Sequence, residues 1–195
     1  MTNLSNLYGG NPILNTSEST ITNNAVVRGD GGGRGLQEST VLISDNGEMI
    51  NASQPHFEAY LTATQSNVTG DGTIYPVLGA IWTESIDVGG NFSNGTFTAP
   101  VSGRYLFTCD YYLTGLGAGH TLMNVQLVTS NNTYYPHQLN PTGIMYGGSS
   151  LLNNWSIIAY MDVDDTAFIR FTVSNSTKTV AVGANYTIFA GTLLS

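Results

Sequence analysis

Charge is scarce in this chain: 9% of its 195 residues are Asp, Glu, Lys or Arg, against roughly 25% in typical domains. A single lysine, Lys178, and a net charge of −8 argue against nucleic-acid binding, because neutralising phosphates takes clustered Lys and Arg. Membrane insertion is disfavoured by the lack of a basic amphipathic stretch or a long apolar run. Cysteine occurs once, at Cys109, so no disulfide can form within the chain. It lies in phase with Tyr105 and Phe107 and reads as a buried free thiol. The start, Met1-Thr2-Asn3-Leu4-Ser5, has neither the basic residues nor the apolar stretch of an export signal. Synthesis in a cytoplasm without secretion is the expectation. On that basis the Asn-x-Ser/Thr triplets at Asn67, Asn94, Asn154 and Asn185 reflect Asn/Thr richness rather than glycosylation.

A catalytic set is missing as well. His56, His120 and His137 have no nucleophile pattern beside them, and no Gly-x-Ser-x-Gly occurs, so the chain does not read as an enzyme and calls for no cofactor. Asp162, Asp164 and Asp165 form the one acidic cluster. Without a Gly-centred loop and a terminal Glu they do not compose an EF-hand, and they read as a solvated turn rather than a metal site. The glycines of 28–35 precede neither Lys-Ser/Thr nor a helical pattern, so they are not a phosphate loop. The Arg28-Gly29-Asp30 triplet within them reads as a glycine turn and not as an adhesion motif.

What remains is β structure. Hydrophobic residues make up 41% of the chain, with eleven Tyr and seven Phe, enough to bury a core. Two regimes divide it. Residues 1–55 hold no aromatic except Tyr8, and this arm lacks the apolar content for a core of its own. It carries two β runs joined by a glycine turn, the second ending at Asn46-Gly47. From Phe57 aromatics recur in every strand, and residues 56–195 read as one globular knob. Strands are predicted at 56–64, 74–82, 91–100, 104–113, 121–130, 133–139, 151–161, 167–173 and 186–194. Gly and Asn punctuation separates them, and no sustained helical period occurs. The pattern predicts an all-β sandwich or barrel.

One segment specifies more. Phe97 lies six residues ahead of Gly103-Arg104-Tyr105-Leu106-Phe107, with Thr98-Ala99-Pro100-Val101 between them. Pro100 suits a strand end, and Gly103 reads as a glycine-only conformation that redirects the chain. This spacing resembles the globular-head jelly roll of the complement and tumour-necrosis-factor-like families. So do Asp165-Thr166-Ala167-Phe168-Ile169-Arg170-Phe171 and the closing Phe189-Ala190-Gly191-Thr192-Leu193-Leu194, over roughly 140 residues. Asp164 stands where that family has Gly, and Cys109 where it has an aromatic. The resemblance implies an antiparallel two-sheet jelly-roll sandwich and a homotrimer. Tyr111, Tyr112, Tyr160 and Tyr186 are the candidate trimer-interface residues, since their hydroxyls could bond across the axis.

A second resemblance concerns the arm. Asn24-Ala25-Val26-Val27-Arg28-Gly29-Asp30-Gly31, Leu36-Gln37-Glu38-Ser39 and Ser44-Asp45-Asn46-Gly47 are similar to a recurring element of bacteriophage tail-fibre proteins, which intertwines three chains ahead of a globular tip. It implies a protein of the virion surface, made in the host cytoplasm. The arm would dock on other virion proteins and the knob would adsorb to a host surface polymer. With a short arm and no long shaft, decoration of the phage head is the alternative. If the arm and the C-terminus share one pole, the loops Gly115–His120, Thr142–Ser149 and Asn175–Ala184 lie at the other. They offer His120, Tyr146 and Lys178 as candidate receptor contacts for a host surface glycan.

Overall fold

The computed structural model describes residues 15–16, 24–29 and 35–195. The chain divides into two compact units, Met1–Ser53 and Gln54–Ser195. Strand accounts for 59% of the described residues, and no α-helix occurs among them.

The first unit contains β1 (Asn15–Thr16), β2 (Ala25–Gly29), β3 (Gly35–Ile43) and β4 (Met49–Asn51). β2 and β4 pair antiparallel with β3, and β1 pairs parallel with it. The β3–β4 turn uses Gly47 at φ 92°, a left-handed conformation that glycine adopts without strain. Residues 30–34, which include Asp30 of the Arg-Gly-Asp triplet and most of the glycine turn, lie outside the described residues.

The second unit runs through β5 (His56–Leu61), β6 (Gln65–Thr69), β7 (Ile74–Pro76), β8 (Trp82–Asp87), β9 (Phe92–Ser93) and β10 (Thr96–Thr98). It continues with β11 (Gly103–Thr114), β12 (Leu122–Thr129), β13 (Thr133–Leu139), β14 (Leu151–Met161), β15 (Thr166–Ser174), β16 (Val180–Val182) and β17 (Ile188–Leu193). These build the expected antiparallel two-sheet sandwich. One sheet runs β6-β16-β11-β17-β5-β8, with β14 also paired to β11 from Gly103↔Met161 to Leu113↔Leu151. The other runs β13-β12-β15-β10-β9, with β7 also paired to β15.

Alternation decides which side chains fill the gap. Along β11 the inward residues Tyr105, Phe107, Cys109, Tyr111 and Leu113 are buried, while Arg104, Thr108 and Asp110 between them are exposed. Opposite them, β15 points Ala167, Ile169, Phe171 and Val173 into the core. Aromatic rings occupy its centre: Phe57 stacks on Phe92 and Phe97 at 4.6 and 4.9 Å, and Phe107 stacks on Phe189 at 5.9 Å. Gly191 makes room for them, since a Cβ there would lie 2.6 Å from Phe57 and 2.9 Å from Phe107.

Several local readings change. The stretch 74–82 is not one strand: β7 stops at Pro76, which carries no N–H for the ladder, Gly79 turns the chain at φ 108°, and β8 begins at Trp82. β6 (Gln65–Thr69) has one apolar residue, Val68, and β16 (Val180–Val182) is apolar throughout, so neither shows an alternation. Gly103 is required for a different reason from the one its sequence suggests. Its φ is not positive, and a Cβ would sit 2.5 Å from the Ser195 carbonyl oxygen. The corner before it is held by Tyr105, whose hydroxyl donates to the Val101 carbonyl at 2.7 Å.

Candidate functional site

The two sheets differ on their outer surfaces. On the outer side of β12 and β15 lie Asn124, Gln126, Arg170 and Thr172, with Arg170 donating to Gln126, which is itself buried. The outer face of the β11 sheet is more apolar. Register aligns it into rows: Ile158, Leu106, Thr192 and His56 form one, and Ser156, Thr108, Ala190 and Glu58 the next. Ile158 and Tyr160 are each 57% exposed. A shallow groove runs across the middle, floored by Ala190 and Gly191 and walled by His56, Ile86 and Leu106.

The chain enters this unit and ends at the same pole. Gln54 hydrogen-bonds to the Leu193 carbonyl, and the Arg104 N–H donates to that of Ser195. The loops 115–120, 142–149 and 175–184 gather at the opposite pole, where the Leu116 N–H donates to the Ser149 carbonyl at 3.0 Å.

The structure divides the three candidate receptor residues. His120 is corrected outright: it is 2% exposed. Its Nδ1 accepts from the Gly117 N–H at 2.9 Å, and its Nε2 lies 3.0 Å from the Thr177 carbonyl. It staples two loops together, and a ring so engaged has no polar atom left for a ligand. Lys178 is exposed and adds a weak attraction to Asp71, whose pKa is lowered chiefly by hydrogen bonding from Thr73. Tyr146 stands apart from both, in a cup it shares with Tyr112, Leu152 and Tyr186.

Among the four interface candidates Tyr111 is also corrected. It follows Tyr105, Phe107 and Cys109 on the inward face and is wholly buried. Its hydroxyl lies 2.7 Å from His137 Nδ1, and burial raises its pKa, with the neighbouring Cys109 adding to the shift. Tyr112 and Tyr160 lie on the outer face, and Tyr186 beside its distal end. Cys109 is buried and free, with its thiol pKa pushed up by burial and by Asp110. Of the acidic cluster, Asp165 accepts from the Asp162 N–H at 2.9 Å and from Asn131 at 2.6 Å, so its carboxylate builds the turn.

No protein-family model matches the sequence, and none of the curated proteins matches it. Solved structures do match by shape. The globular domain of zebrafish complement 1qA protein superposes with a TM-score of 0.51 at 17% identity, over 73% of this chain and 98% of that one. Murine APRIL, solved at pH 5.0, gives 0.50 at 9% identity, over 72% and 99%. The fold is a jelly roll of the complement and tumour-necrosis-factor-like type.

Within this jelly roll, partial burial lowers the pKa of His137 from 6.5. The unfolded chain therefore takes up a proton before the folded one does as the pH falls. Stability present above pH 6.5 is expected to decline as the pH drops from there towards the lower folded value. His137→Gln, which keeps a polar partner for Tyr111 but cannot titrate, is expected to flatten part of the slope in denaturant melts between pH 7 and 5. Equal slopes in the two proteins would mean that His137 titrates alike folded and unfolded.

Proposed function

We propose that the protein is a bacteriophage virion component: a homotrimeric knob that adsorbs the particle to a host surface polymer, anchored to other virion proteins through residues 1–53. The observation that carries the assembly is the outer face of the β11 sheet, where Leu106, Ile158 and Tyr160 meet solvent beside a shallow groove. An isolated subunit gains nothing from such a face, and cyclic pairing with copies of itself removes it from water. Tyr160 sits in this patch, while Tyr112 and Tyr186 lie at the distal end. The virion context rests on the tail-fibre-like sequence of 24–47, which belongs to the first of the two compact units.

Truncation separates the two roles. A chain lacking residues 1–53 is expected to keep the jelly roll, read by circular dichroism and cooperative unfolding, yet fail to join particles. Normal incorporation would show that the arm is not the anchor. Tail-fibre function requires the purified knob to bind host cells and block infection. Binding only to particles, with a rise in their thermal stability, would instead establish decoration of the head.

A further inference from the structure

The distal end of the apolar sheet face carries a second kind of surface. Tyr112, Tyr146 and Tyr186 close round Leu152, and the cup continues past Leu152 and Tyr186 into a groove lined by Asp110, Asn153, Asn154 and Asn185. The rings come from three separate elements, and each is held. Tyr112 sets the Cδ1 edge of its ring against Gly183, where a Cβ would be 2.3 Å from that atom. Tyr186 meets it edge-on at 5.5 Å and 66°. Tyr146 is pinned by a bridge to Ser150, with the Tyr146 N–H donating to the Ser150 carbonyl at 2.9 Å. Its hydroxyl and that of Ser150 interact with the Tyr112 hydroxyl, and this hydrogen bonding lowers the Tyr112 pKa. Even so, Tyr146 and Tyr186 remain 56% and 60% exposed.

We propose that this cup and groove bind a neutral glycan, with pyranose rings lying on the tyrosines and sugar hydroxyls bonding to Asn154, Asn185 and Asp110. A sugar ring offers an apolar C–H face and a polar rim, and a pre-set aromatic wall beside amides and a carboxylate matches both. Charge sets the class: the lining holds no Lys or Arg, and the chain carries a net −8, which disfavours acidic polymers. The inference deepens the host-polymer reading and rests on it for biological context only. It moves the glycan site away from His120 and Lys178.

The test uses the full chain. Saturation-transfer NMR and tyrosine-fluorescence titrations are run with neutral gluco-, galacto- and manno-oligosaccharides of about five units, and with oligogalacturonate as the acidic probe. At least one neutral oligomer is expected to bind with a Kd near the millimolar range, strengthened on polymers by multivalency. Tyr186→Ala and Tyr146→Ala are each expected to weaken that binding about tenfold while sedimenting like the parent. Tyr146→Phe is expected to retain most of it. No binding of any neutral probe, tighter binding of oligogalacturonate, or equal binding by both alanine variants would overturn the assignment. A changed oligomeric state in Tyr186→Ala would overturn it too, since the cup would then belong to an interface with a second copy. If the sugar binds as described but the knob does not block infection, it is the adsorption reading that fails, and the site stands.

Discussion

Replacing Ile158 by aspartate is expected to reduce the sedimenting mass from about three times 20.7 kDa to 20.7 kDa without loss of the β spectrum. In a single subunit this side chain is 57% exposed, so a carboxylate there stays hydrated and the sandwich is undisturbed. In a ring, each copy would instead bury an unpaired charge against the apolar groove of its neighbour. The effective cost of such burial is several kcal/mol per ion even after relaxation, and a cyclic assembly incurs it at every interface. The same substitution at Tyr135, on β13 of the other sheet, is expected to leave the mass unchanged. A variant at Ile158 that sediments like the parent would remove the β11 face from the assembly.

The largest loss of fold stability is expected at Phe107. Its ring stacks on Phe189 and Tyr105 and meets Phe97 edge-on at 5.8 Å, and none of it reaches solvent. Phe107→Ala removes those contacts and leaves a void between strands whose backbone ladders hold them in place. A cost of about 3–5 kcal/mol follows, which is a Tm lower by roughly 6–20 °C for a unit of this size. Differential scanning calorimetry at one protein concentration measures it, because assembly makes Tm concentration-dependent. A loss under about 1 kcal/mol would mean that the neighbouring rings collapse into the space. Gly191→Ala presses on the same rings from the other side, and overpacking of that kind costs about 1–3 kcal/mol.

These residues also show how far the sequence reaches. Period-two alternation placed Tyr105, Phe107 and Cys109 on one face, and carried one step further it also places Tyr111 inside and Tyr112 outside. The two adjacent tyrosines could not both line an interface, since neighbours on a strand point to opposite faces. The His120 staple left no such signal. Its second partner, Thr177, is 57 residues away, and Gly117-Ala118-Gly119-His120 looks like any exposed loop. Gly103 carried a correct mark with the wrong cause, because the Ser195 carbonyl that excludes a Cβ comes from the other end of the chain.

The sequence by itself determined the all-β class, the aromatic core strands and the break in composition near residue 55. Each depends on local alternation, turn residues and apolar content, which a linear reading contains. Only the tertiary structure decided that Leu106, Ile158 and Tyr160 gather on the outer face of one sheet, and that three tyrosines from β11, the 142–149 loop and the segment before β17 meet in one cup. Those facts depend on which strands become neighbours. Strand pairing is settled by burial and register across distances that no local pattern encodes.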